Sequence, residues 1–190
     1  MSGIDVRGVI RSAAILLGAL PVLVACGSDG SHSTTDSSSV LQTGVPSAFD
    51  PCRDIPDSTL QQLGFDSGSR KSIPDQVINT GDVDQVVRAR GCEFAIDGGA
   101  GYQGPTRIAI EATNTTIAYF RKHDEKDRPV REISVEGRDV IISGPAFGGQ
   151  CEGLIDVPGG GILLSTADTN ATSCDMVVKT AKAIAPLLPK

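Results

Sequence analysis

Residues 151–165 read CEGLIDVPGGGILLS, and this stretch decides the fold class. Two short segments rich in apolar residues, 151–157 and 162–165, flank a PGGG turn at residues 158–161. Short apolar segments bounded by Gly and Pro predict strands. A tight turn joins antiparallel neighbours, because a parallel pair needs a crossover of a dozen or more residues. The stretch therefore predicts an antiparallel hairpin.

Strand patterns recur upstream of this hairpin, mostly separated by turns. They predict further strands at residues 86–96, 106–113, 133–135 and 140–142. The apolar alternation shifts near Gly91, which predicts a β-bulge there. Residues 65–82 are rich in Asp, Ser and Gly and are predicted to be irregular.

Helices are predicted at both ends of the domain. Residues 57–64 have Asp57 or Ser58 as the N-cap and Gly64 as the stop signal. Residues 173–187 carry one apolar stripe at helical spacing, which Pro186 should end or distort. Residues 115–122 fit a helix or a strand, and we favour a helix capped by Asn114. The result is an α+β fold: an antiparallel sheet of about five to six strands, packed by N-terminal and C-terminal helices as a layered sandwich.

Composition narrows the function classes. The chain has 190 residues, a formal net charge of −6, two His and five Cys. The acidic balance argues against nucleic-acid binding, which needs clustered Lys and Arg. Residues 49–190 are long enough for a single domain with one core.

Residues 1–25 resemble a secretory signal peptide. Arg7 and Arg11 supply the positive start, and the apolar run at residues 12–25 is too short to cross a bilayer. A twin-Arg pair is absent from the sequence, which predicts the general secretion route.

Leu23-Val24-Ala25-Cys26 matches the bacterial lipobox. The match predicts diacylglycerol transfer to the Cys26 thiol, cleavage before it, and a lipid anchor at the outer face of the plasma membrane. Residues 1–25 carry a net +1, so the mature chain would carry −7. Residues 26–48 are the lipidated Cys and a flexible linker rich in Ser, Thr and Gly.

Lipidation of Cys26 would leave an even set of four cysteines, Cys52, Cys92, Cys151 and Cys174. An exported domain with an even set favours two disulfides. We favour the pairs Cys52–Cys92 and Cys151–Cys174, since each ties a helix start to a strand near in sequence. The alternative pairs, Cys52–Cys174 and Cys92–Cys151, stay open.

Catalytic and cofactor motifs are weak. A Cys151 nucleophile would need His123, which lies in the charged run at residues 121–128 and is better explained as part of a solvated loop. Residues 99–104 match G-x-G-x-x-G, but Pro105 and a strand pattern follow instead of the helix that binds a dinucleotide. We therefore predict no cofactor, no metal and no catalytic residues.

An ordered series of motifs resembles the actinobacterial lipoproteins called domain of unknown function 3558. The series runs over residues 49–189, and Phe94 stands where the family often has Trp. The resemblance implies a surface-anchored, disulfide-bearing α+β domain without catalytic residues to transfer. The series of motifs consists of Phe49-Asp50-Pro51-Cys52, Leu60-x-x-Leu63-Gly64-Phe65, Arg90-x-Cys92-x-Phe94, Cys151, and the Cys174 helix ending at Leu187-Leu188-Pro189.

The leading functional hypothesis is a non-enzymatic binding or accessory lipoprotein whose partner is an envelope protein or an apolar ligand. A cell-envelope hydrolase or transferase using carboxylates is the first alternative, which a deep pocket with two carboxylates would favour. A carrier of lipid or a small apolar ligand is the second, which an apolar groove between sheet and helices would favour. A spacer or sensor subunit would show a large flat apolar patch.

Overall fold

The structure is a computed structural model that describes residues 41–79, 86–97, 106–123, 128–145, 149–166 and 173–190. Its helices are α1 (Pro51–Asp54), α2 (Asp57–Leu63), α3 (Ile117–His123) and α4 (Ser173–Ile184). Its strands are β1 (Lys71–Asn79), β2 (Val86–Ala95), β3 (Arg107–Thr113), β4 (Val130–Val135), β5 (Arg138–Ser143), β6 (Glu152–Val157) and β7 (Gly160–Thr166). Among the described residues, no helix is long and apolar enough to cross a membrane.

The strands form one antiparallel sheet in the order β1-β2-β3-β7-β6-β5-β4. The hairpin predicted from residues 151–165 is the β6–β7 pair, which turns at Pro158 and Gly159. The sheet has seven strands, so the predicted count of five to six is wrong.

The additional strand is β1, within the segment predicted to be irregular. Nearly all of β1 is exposed, and it contains Pro74, so it shows no apolar alternation. Ile73 pairs with Gly91 and Gln76 pairs with Ala89, which leaves Pro74 and Asp75 opposite the single residue Arg90. The bulge predicted near Gly91 is therefore in β1, and the register between β2 and β3 is unbroken.

The main core lies between one face of the sheet and helices α2 and α4. Phe94, Ile110, Ile155 and Leu164 point from the strands into it and are fully buried. Val177, Ala181 and Ile184 of α4 form the apolar stripe predicted from the sequence. The α-helical part ends at Ile184, and Ala185–Leu187 continue as a 3-10 turn around Pro186.

Two predicted helix caps are wrong. The N-cap of α2 is Pro56, which provides no side-chain hydrogen bond, although Gly64 does end the helix at φ 80°. The helix favoured at residues 115–122 is confirmed as α3, but the Tyr119 N–H donates to the hydroxyl of Thr116 and not to Asn114.

Helix α3 covers part of the opposite sheet face. Ile141 of β5 and Leu154 of β6 alternate with core residues and are completely buried on this second face, near Tyr119. The part of this face formed by β2 and β3 carries charged side chains such as Glu93 and Glu111, which are half-buried.

Two disulfides fasten the helices to the sheet. Cys52 of α1 bonds to Cys92 of β2, and Cys151, just before β6, bonds to Cys174 of α4. The structure thus has the favoured pairing and not the alternative one. Both bonds lie beside the main core, to which all four cysteines contribute.

Candidate functional site

A hydrogen-bond network around Asn114 ties the first described residues of the chain to β2. The Asn114 amide nitrogen donates to the carbonyl oxygens of Gln42 and Val86, each at 3.0 Å, and its oxygen accepts the Arg88 N–H at 2.8 Å. The Gln42 N–H donates to the Asn114 carbonyl at 3.1 Å. The network holds Gln42, which belongs to the linker predicted at residues 26–48, beside β2.

The residues after Gln42 pack against the core and β7. Val45 packs against the main core, and Pro46 is buried against Gly160. Residues 45–47 therefore form a wall next to the exposed β1–β2 edge of the sheet.

A groove of about 280 Å³ lies between this wall and the β1–β2 hairpin. Beyond the bulge in β1, a second hollow of about 180 Å³ reaches the Cys52 end of α1. Arg90 and Asp75 line both spaces, so we treat them as one site and call it the arginine groove. The first space of this groove, beside residues 45–47, is lined by Val45, Ser47, Asp75, Gln76, Val77, Arg88, Ala89 and Arg90.

Arg88 and Arg90 are alternate residues of β2 and therefore project from the same face of the sheet. Arg90 is half-buried and Arg88 is exposed. Within the described parts of the chain, neither guanidinium has an ion-pair or hydrogen-bond partner, and Asp75 is not within ion-pair distance of either. A half-buried charge without a partner is costly, so the groove is suited to an anion.

The other described arginines show that a guanidinium without a partner is unusual. Six of the nine described arginines have carboxylate or carbonyl partners, and Arg70 binds the carbonyls of Cys52 and Ile55 as well as Asp57. Only Arg88, Arg90 and the exposed Arg131 lack one among the described residues. The partnered ones are Arg53, Arg70, Arg107, Arg121, Arg128 and Arg138.

A third groove, of about 240 Å³, lies between α3 and strands β4 and β5. Its guanidinium, Arg121, already donates twice to one oxygen of Glu132, at 2.7 and 3.0 Å. Because this charge is neutralised within the groove, we do not take it as the candidate site.

The second sheet face holds a carboxylate pair. Burial, with a smaller contribution from Glu152, raises the pKa of Glu111. Glu152 is paired with Arg128 at 3.2 Å. The methylene stem of Glu111 lies over Gly91, where a Cβ would come within 2.9 Å of the Glu111 Cγ.

Replacing Glu111 by Gln should stabilise the protein at neutral pH. A raised folded-state pKa means that folding disfavours the ionised form, so the cost is present above the folded pKa and disappears as the pH falls below the ordinary glutamate value of about 4.3. We expect E111Q to raise the melting temperature by a few degrees at neutral pH and not at about pH 4.

The matched control for E111Q is E136Q, at an exposed turn position between β4 and β5. The melting temperature of E136Q should stay close to that of the parent protein from neutral pH down to about pH 4. A gain for E111Q that persists at the acid end would show that packing, not ionisation, is responsible.

The structure engages both residues considered for catalysis in other contacts. Cys151 is in a disulfide and has no thiolate to offer, and the His123 ring stacks on Tyr119 with the centroids 4.1 Å apart. Cys26, the signal segment at residues 1–25 and the glycine motif at residues 99–104 lie outside the described residues. Among the described residues, no group of three or more His, Cys, Asp or Glu side chains could hold a metal ion.

The family comparison agrees with the resemblance read from the cysteine and Leu-Gly-Phe motifs. A family model described as "Protein of unknown function (DUF3558)" matches residues 21–187. The chain belongs to this family. No curated protein and no solved structure gives a significant match to the chain.

Of the three charged residues in the first space of the arginine groove, the sequence of this DUF3558 member indicated one. Arg90 was singled out only as part of a family motif, and Arg88 and Asp75 were not noticed. A usable signal was present, because Arg88 and Arg90 have strand spacing at the start of a predicted strand. Whether a guanidinium lacks a partner depends on the tertiary fold and has no local signature.

Proposed function

We propose that this DUF3558 protein is a lipid-anchored extracytoplasmic binding or accessory module of the actinobacterial lipoprotein kind, and that the arginine groove binds its ligand. The observation that carries the proposal is the pair of guanidinium groups without partners among the described residues. Among the described residues, neither group forms an ion pair or a hydrogen bond that would stabilise the fold. A site for an anion explains the pair.

The sequence supports the anchor. Sixteen residues after the predicted acceptor Cys26, Gln42 hydrogen-bonds to Asn114, just beyond the end of β3. A flexible linker of this length has an r.m.s. reach of roughly 22 Å. The domain would therefore stay close to the outer face of the plasma membrane, where its ligand or partner would be found.

A carrier of small apolar ligands is the second candidate, and one observation favours it. Val45 and Val77 line the groove beside the two arginines, and the Val77 side chain is 57% exposed. An amphiphile with an anionic head would satisfy both kinds of lining. A hydrolase or transferase has less support, since the Glu111 and Glu152 carboxylates lie on the other sheet face.

Replacing Cys26 by Ala should release the protein from the membrane fraction and abolish its labelling by a fatty-acid probe. The thiol is the acceptor of the diacylglycerol group, and acyl chains contribute about 0.8 kcal/mol per buried CH₂. The measurement is fractionation of cells together with in-gel detection of an alkyne palmitate label.

Ser28→Ala, two residues beyond the predicted acceptor, is the matched control and should remain membrane-bound and labelled. Persistent palmitate labelling of C26A would refute the anchor. An unlabelled parent protein would do so equally.

A further inference from the structure

We infer that the ligand of the arginine groove is a monoanionic phosphodiester, supplied by the phospholipid headgroups of the membrane that anchors the chain. The inference rests on the proposed function, because it requires the groove to bind an anion. It adds the charge, the chemical class and the source of that anion.

The spacing of the two guanidinium groups fits a phosphate. Alternate residues of a strand lie about 7 Å apart along one face, so Arg88 and Arg90 can converge on a single tetrahedral anion from two sides. Each guanidinium offers a planar fork of N–H donors that matches two phosphate oxygens. Because Arg90 is half-buried, water competes less with a bound phosphate for the hydrogen bonds of its guanidinium.

The charge of the groove selects a monoanion. Asp75 lines both spaces, and its position in the bulge of β1 places it opposite Arg90. In the first space, which holds both arginines, the charged lining residues are Arg88, Arg90 and Asp75, with a net charge of +1. Asp50 lines the second space, on the other side of the bulge. A phosphodiester carries −1 and neutralises the first space, whereas a phosphomonoester carries close to −2 at neutral pH and would be repelled by Asp75.

The remaining lining fits a lipid headgroup better than a bare ion. Val45 and Val77 provide apolar contact on opposite sides of the groove, and Ser47 and Gln76 provide polar groups for hydroxyls. The glycerol backbone and the first methylenes of the acyl chains would lie against these valines.

Position favours the membrane as the source. The Arg88 backbone N–H is part of the Asn114 network that also holds Gln42, so the groove lies beside the first described residues of the chain. Cys26 is sixteen residues upstream of Gln42. A flexible tether of this length would keep the groove within reach of headgroups.

The first test uses the full chain purified in dodecyl maltoside, a detergent without phosphate. Diethyl phosphate (a diester) and methyl phosphate (a monoester) are titrated separately, and binding is followed by ³¹P NMR line broadening. We expect diethyl phosphate to bind and methyl phosphate to bind at least tenfold more weakly at neutral pH.

Variants assign this binding to the groove. R90Q and R88Q should each weaken diethyl phosphate binding by at least about tenfold, because each variant loses a guanidinium fork and its charge-assisted hydrogen bonds. R131Q is the matched control, since Arg131 is likewise without a partner among the described residues but lies on β4 at the far edge of the sheet. D75N should bring methyl phosphate binding up to that of the diester.

The outcomes separate the inference from the proposed function. If the parent binds neither compound, the anion groove and the phosphodiester inference both fail. If it binds both equally, the groove stands and the inference fails. If R131Q loses as much affinity as R90Q, the binding is general charge attraction and the groove assignment is wrong. Circular dichroism of R90Q and R88Q shows that each variant is folded before titration.

The second test identifies the source. Phenylglyoxal modification of Arg90 is measured by mass spectrometry in micelles and in vesicles of phosphatidylglycerol, with Arg131 as the internal control. We expect at least fivefold slower modification of Arg90 in vesicles and no change at Arg131. Protection by soluble diethyl phosphate without protection by vesicles would overturn the membrane source.

Discussion

Replacement of Gly91 by Ala is expected to prevent stable folding. A Cβ at this position would lie 2.1 Å from the Ile110 carbonyl oxygen and 2.7 Å from the Glu111 Cα. Both atoms belong to the backbone of β3, which is fixed between β2 and β7 and cannot move without breaking the sheet. We expect a loss of more than about 4 kcal/mol, among the largest effects of single substitutions.

Gly44 provides the matched control for G91A. A Cβ at Gly44 meets no atom within 4 Å, so G44A should have a free energy of unfolding close to that of the parent protein. The measurement is urea unfolding followed by far-UV circular dichroism, with soluble yield recorded for both variants. A G91A variant within about 1 kcal/mol of the parent would show that β2 and β3 do not approach each other as described.

Simultaneous replacement of Cys52 and Cys92 by Ala is expected to lower the free energy of unfolding by about 4 kcal/mol. The bond closes a loop with a sequence separation of 40 residues, and its loss restores the freedom of that loop in the unfolded chain. Changing both residues avoids a free buried thiol. The same bond holds α1 against β2 beside the arginine groove, so groove binding should weaken as well.

Urea unfolding of the C52A/C92A variant, compared with the parent in the absence of reductant, measures this loss. The C151A/C174A variant is the control for position, since its bond closes a shorter loop and neither cysteine is among the described lining residues of the groove. It should lose comparable stability while retaining anion binding. A loss below about 1 kcal/mol for C52A/C92A would contradict the loop-closure account.

The hairpin at residues 151–165 and helix α4 were predictable because their own side chains determine them. Alternation, Gly-rich turns and a helical stripe act over a few residues. β1 was missed for the opposite reason: it is an exposed edge strand with Pro74 and Asp75 in a bulge, and its pairing depends on β2. Pro and charge are usual in edge strands, where they discourage pairing with other chains.

Asn114 shows why site geometry was harder to predict than the fold. A local interpretation makes it a helix cap, since Asn is a strong capping residue. In the structure it binds Gln42, which is 72 residues away in sequence, and Val86, which is 28 residues away. The arginine groove is formed by the same long-range contacts, so its residues could be identified singly but not assembled.

The strand order has a consequence for how the chain reaches its folded state. Strands β1–β3 and β4–β7 are two ribbons of sequential hairpins, whose loop closures are short and therefore fast. One seam, β3 against β7, joins them by pairs such as Ile110 with Leu164, which are 54 residues apart. We expect the two ribbons to fold independently and the pairing of β3 with β7 to form last. Until the seventh strand has emerged, the pairing edge of β3 stays open, and a chaperone could recognise it there.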